Sequence, residues 1–235
     1  MDSSKKTARI VGILFIIATL AGLLSVIFLG SLNAPDYLVK ISENGNQIII
    51  GAILMLIMAA AIASIPAMIS PILKKYNGAL ALGYVGFRII EAITIIIGAI
   101  GMLLLFTLSQ QFIAAGAPDA SYFQTLGTLL QTLVNNWNSL ISTIVFSISA
   151  LILNYILYRS RLIPRWLAIW GLVGAILHII GGILGMFDVV AESSTLGMVF
   201  VIPLALEEMV FAVWLIAKGF NLSIVKSLSA KTGRE

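Results

Sequence analysis

Along this chain, apolar residues run nearly unbroken for twenty or more positions at a time, and polar residues gather between the runs. Six such runs stand out, at about 10–30, 47–72, 79–108, 138–158, 166–187 and 196–217. A helix needs about 20 residues to cross the hydrocarbon layer of a bilayer, and each run has them. The pattern predicts an all-α membrane protein, a six-transmembrane-helix bundle forming a single transmembrane domain over 1–235. The first run could be a signal peptide, but it is longer than an ordinary signal core and no A-x-A site follows. A retained first span is expected.

The connections sort by charge. Lys5, Lys6 and Arg9 precede the first run, Lys74 and Lys75 follow the second, and Arg159, Arg161 and Arg165 follow the fourth. Lys218, Lys226, Lys231 and Arg234 lie in a basic tail over 218–235. Twelve of the fourteen basic residues therefore fall on one side, leaving Lys40 opposite and Arg88 inside a span. Lys and Arg mark the cytoplasmic side, so both termini are expected in the cytoplasm. Asp36, Glu43, Asp119, Asp188 and Glu192 all fall on the outer side.

Between the third and fourth spans, Tyr122, Phe123, Leu126, Leu129, Leu130, Leu133, Val134 and Trp137 recur at helical spacing, with Gln124, Thr125, Thr128, Gln131 and Asn135 opposite. This predicts an amphipathic outer segment that extends the fourth span and packs on the bundle's mouth; a lid over an outward cavity is the other reading. The stretch 31–46 reads as a polar connector. Pro66 and Pro71 read as marking the inner end of the second span, and Pro203 as a bend within the sixth.

Composition closes off several classes. Charged residues make up 10% of the chain and mean hydropathy is +1.08, against about 25% charged in soluble domains. The net charge of +4 is spread over short loops rather than one patch, so nucleic acid is not expected as a partner; the lipid bilayer is. The absence of cysteine excludes disulfides, thiolate metal sites and cysteine nucleophiles, and a lone histidine, His178, excludes a bis-histidine haem.

Candidate chemistry lies where charge is least welcome. Arg88 stands nine residues into the third run, about 14 Å along the helix. An arginine at that depth costs roughly 2.5–3.5 kcal/mol on insertion scales. Tyr84, Arg88 and Glu91 share a face, so Arg88 pairs first with Glu91. Two of the guanidinium's five donors are met that way, and other helices must supply the rest. Glu207 and Glu208 in the sixth run point about 100° apart, and Glu207 is favoured as the inward one. His178 lies on a glycine-rich face with Gly171, Gly174, Gly181 or Gly182, and Gly185, and should point into the bundle. Three mid-depth carboxylates face one arginine and one histidine. At least one carboxylate is therefore expected to be protonated, paired with a charged His178, or holding a cation. Asn135, Asn138, Ser142, Ser149 and Asn154 form a milder polar seam in the fourth run.

Three functions fit these residues. A small ligand or proton could bind or move at a midplane site of Arg88, Glu91, His178, Glu207, Tyr84 and Glu208. The same charges could fix helix packing in a structural or accessory subunit. His178 with Glu91, Glu207 or Glu208 could hold a metal in an intramembrane enzyme, although no H-E-x-x-H spacing is present. No cofactor is indicated, and the oligomeric state is left open.

Four stretches resemble the multi-pass membrane family known as domain of unknown function 4386: ARIVGIL at 8–14, GFRIIEA at 86–92, IPRWLAIWG at 163–171 and WLIAKGF at 214–220. They extend from the first span to the last. The resemblance implies six spans and the cell membrane of a bacterium or archaeon, and brings no activity, cofactor or catalytic residue.

Overall fold

The computed structural model describes residues 3–29, 36–116, 121–191 and 194–232, and its elements are all helical. In chain order they are α1 (Ser3–Leu29), α2 (Tyr37–Glu43), α3 (Gly45–Leu73), α4 (Gly78–Ala114), α5 (Ser121–Gln131), a π-helical stretch (Thr132–Asn138), α6 (Ser139–Ser160), α7 (Arg165–Met186), α8 (Thr195–Ala217) and α9 (Leu222–Thr232). Six helices among the described residues are long and apolar enough to cross a membrane, the fourth running continuously over Tyr122–Ser160. Large apolar side chains such as Ile27, Ile100, Val173 and Val213 stay more than half exposed. Water tolerates no belt of that size; it is the lipid face of a multi-pass membrane protein.

The six spans close a ring in chain order. α1 packs on α3, α3 on α4, α4 on α6, α6 on α7, α7 on α8, and α8 returns to α1. In lipid, helices associate through close packing, because the tails are as apolar as the side chains. Closure of the ring depends on such an approach at Gly12, where an added Cβ would lie 2.6 Å from the Ala212 carbonyl oxygen. The largest buried cluster fills the basic end, with Phe15, Ile65, Leu73, Tyr84, Leu157, Leu167 and Phe211 among its members. A second cluster, holding Leu38, Ile41, Met102, Leu105 and Phe123, fills the opposite mouth.

Element ends follow local chemistry. The Asn77 side chain accepts a 2.9 Å bond from the Leu80 N–H and starts α4; Ser194 does the same for Gly197 at 3.0 Å and starts α8. Each such cap contributes about 1 kcal/mol. α6 ends at Arg161 in the left-handed conformation, φ 60°.

Several expectations need correction. Pro66 and Pro71 do not end the second span: both lie inside α3, in its last two turns, and Pro66 is buried there. The connector after α1 contains a helix, α2, because Leu38 and Ile41 find apolar partners at the mouth. The third span runs past 108 to Ala114, its C-terminal end held by that same cluster. The amphipathic segment does extend the fourth span, yet only Phe123, Leu130 and Val134 seat on the mouth. Tyr122, Leu126, Leu129, Leu133 and Trp137 face outward, so the apolar stripe is divided between the mouth and the surroundings. Asp119, Glu192 and Arg234 lie outside the described residues.

Candidate functional site

α4 carries the centre of the site. Its 4-then-3 spacing puts Tyr84, Arg88 and Glu91 on the face that turns into the ring, and all three are buried. The Arg88 guanidinium is 2% exposed. Nη1 donates to both Glu91 carboxylate oxygens at 3.2 Å, and Nη2 donates to Glu208 Oε1 at 2.9 Å. The second bond crosses the ring, because α8 is neighbour to α7 and α1 rather than to α4. Three rings surround the cation: Phe146 at 5.2 Å, Phe15 at 5.3 Å and Tyr84 at 5.8 Å from the guanidinium carbon. Removed from water, each such contact contributes up to about 2 kcal/mol. The aromatic cage therefore supplements the two carboxylates.

The sequence favoured Glu207 as the inward one of the two, and Glu207 is the more deeply buried; the partner of Arg88 on α8 is nevertheless Glu208. Both carboxylates are inside, 100° apart on α8. The rotation of α8 aims Glu208 across the ring and turns Glu207 toward α6, within hydrogen-bonding reach of the Asn154 carboxamide. Asn154 donates to the Ala150 carbonyl at 3.1 Å and fills the space beside Gly171, where any Cβ would collide with it. Glu207 Oε1 and Asn154 Oδ1 are both buried without a hydrogen-bond partner, as are Arg88 Nε and the Tyr84 hydroxyl.

His178 points inward as expected but does not join the ion pairs directly. Its Nδ1 lies 2.8 Å from the Ser147 hydroxyl on α6. The Phe146 ring contacts it edge-on at 5.5 Å and also carries the guanidinium. The glycine face around it divides in two: Gly174 and Gly181 admit Leu204 and Phe200 of α8, while Gly182 and Gly185 admit Thr143 and Leu140 of α6. The polar seam of the fourth span serves helix pairing in part: the Ser142 hydroxyl lies 3.0 Å from that of Thr94 on α4.

The structure thus joins Tyr84, Arg88, Glu91 and Glu208 in one contact group, sets Glu207 beside it, and reaches His178 through Phe146. Sequence reasoning missed Phe15, Phe146 and Ser147. Phenylalanines are frequent in membrane helices, and no spacing marks the two that face a cation. Among the described residues no group of three or more His, Asp and Glu side chains is placed to hold a metal ion.

A ring of six spans around a caged arginine defines a polytopic membrane protein with a charged interior. Residues 10–219 match the model of the family described as domain of unknown function, DUF4386, and the chain belongs to that family. No curated protein and no solved structure matches the chain.

Proposed function

We propose that this protein binds a proton at its interior, with Glu207 as the carrier and the Arg88–Glu208 bridge as the element that responds. One observation carries the reading: Arg88 is already paired with Glu91 and the part-buried Glu208, and a third carboxylate, the buried Glu207, keeps an oxygen without a partner. If all three were ionised, two negative charges would go unbalanced by Arg88, one of them on the buried Glu207, where a low dielectric penalises it heavily. A proton on Glu207 removes one of them and supplies a donor for a neighbouring acceptor. Its loss puts a new negative charge beside Glu208, which competes for Arg88 and repels the carboxylate that bridges α4 to α8. Proton occupancy is thereby linked to the contact across the ring. Burial of the guanidinium behind three aromatic rings favours a proton over an organic ligand. With the basic connections in the cytoplasm, the ring sits in the cell membrane with α5 and the mouth cluster outside.

Infrared difference spectroscopy on the protein in lipid tests this directly. A protonated-carboxyl carbonyl band that titrates with pH and disappears in Glu207→Gln is expected. A spectrum with no such band, or one unchanged in that variant, overturns the reading. A second reading, that the network fixes helix register, is favoured by the bond between α4 and α8, helices that are not neighbours in the ring. It predicts that pH leaves the Arg88 contacts unaltered.

A further inference from the structure

At the basic end of the bundle, where α6, α7 and α8 terminate, a cleft of about 510 Å³ opens between the α6–α7 turn and the α8–α9 turn. Arg161, Arg165 and Lys218 line it together with Pro164, Trp214 and Asn221. We propose that this cleft binds the phosphate headgroup of an anionic phospholipid. The proposal is independent of the interior site.

Four observations converge on it. The walls are built rather than accidental: the Asn221 N–H donates to the Leu162 carbonyl at 2.9 Å, tying one turn to the other, and Leu162 and Phe220 behind them are buried. The three cations have no carboxylate within ion-pair distance among the described residues, where the ion pairs are those of Lys40 with Asp36 and of Arg88 with Glu91 and Glu208. Arg161 adopts φ 60°, a conformation that glycine takes without strain. An arginine in that position, with its side chain exposed at the cleft, places a positive charge where the backbone would favour glycine. Finally, Pro164 precedes the first turn of α7, whose leading N–H groups are left over by the helix and favour an anion.

The membrane setting selects a lipid over a soluble phosphate. The cleft lies at the level where three spans end. Beside Arg165 the outer face of α7 begins with Trp166 and continues through Ile169, Val173, Ile176 and Ile180, all exposed. That strip, at 3- and 4-residue spacing, leads from the basic cleft into the hydrocarbon region. It offers acyl chains a path while the headgroup stays with the cations, and a tryptophan at its head suits the interface.

Native mass spectrometry of the detergent-solubilised protein with added phosphatidylglycerol or phosphatidylcholine tests the proposal. Retention of phosphatidylglycerol in preference to phosphatidylcholine is expected, weakening about five-fold for each cation removed in Arg161→Gly, Arg165→Gln and Lys218→Gln. Arg161→Gly should keep or raise the melting temperature, since glycine relaxes the left-handed turn. That single variant carries the test if the Arg165→Gln or Lys218→Gln variant does not fold. Equal retention of the two lipids, or wild-type retention of phosphatidylglycerol by the variants, would overturn it. So would displacement of phosphatidylglycerol by excess inorganic phosphate, which would make the ligand a soluble phosphate.

Discussion

Arg88 Nη2 and Glu208 Oε1 stand 2.9 Å apart although 120 positions separate them in the chain. Glu91 still balances the guanidinium when Glu208 is removed, so what is lost is one charged hydrogen bond, worth about 1.5–3 kcal/mol. Glu208→Ala should therefore lower the melting temperature in detergent by several degrees. An unchanged melting temperature would mean that Glu91 and the aromatic cage satisfy the guanidinium unaided.

Removing the charges together has a different expected outcome. A variant with Arg88→Leu, Glu91→Leu and Glu208→Leu leaves Glu207 as the remaining carboxyl of the group, neutral while it holds its proton, and apolar replacements of buried ionic groups are often neutral or stabilising. It should fold and melt no lower than Glu208→Ala, while losing any proton-linked response. A triple variant that fails to fold would favour the register-fixing role of the network.

Two glycines in different spans should respond in opposite ways to alanine. At Gly171 the new methyl collides with Asn154, which is pinned to Ala150, so Gly171→Ala should destabilise and Asn154→Ala in the same chain should restore much of the loss. At Gly86 nothing lies within 4 Å of an added Cβ. Gly86→Ala should then stabilise the helix by up to about 1 kcal/mol. Thermal melts of the three variants check both.

The Asp36–Lys40 pair at the mouth, 3.0 Å apart, gives the opposite limit. Its hydrogen bond to Lys40 holds the Asp36 carboxyl below the usual range. Whatever it contributes is present above the unfolded carboxylate value and is lost as pH falls through the depressed one. More than half of each side chain is exposed, so Asp36→Asn should leave the melting temperature unchanged at neutral pH. A measurable drop would show that α2 anchors the mouth more strongly than its packing suggests.

Much of this protein could be read without coordinates. Twenty-residue apolar runs dictate six spans because a bilayer leaves a helix no other way to satisfy its backbone. The 4-then-3 spacing placed Tyr84, Arg88 and Glu91 on one face for the same geometric reason. Helical spacing also marked the outer segment, though not which half of its stripe would find a partner. The prolines misled, because a membrane helix can carry Pro66 and Pro71 near its end without stopping.

What only the tertiary structure decided is the rotation of each helix about its own axis. Period alone says that Glu207 and Glu208 diverge by 100°; the packing of α8 between α7 and α1 determines that Glu208 meets Arg88 and Glu207 meets Asn154. In the same way, nothing in the spacing of Phe15 or Phe146 reveals a cation beside it, because an aromatic ring is as much at home against lipid as against a guanidinium. Hydrophobicity along the chain fixes which segments enter the membrane. Contacts between segments, made by side chains far apart in sequence, fix what lies at the centre.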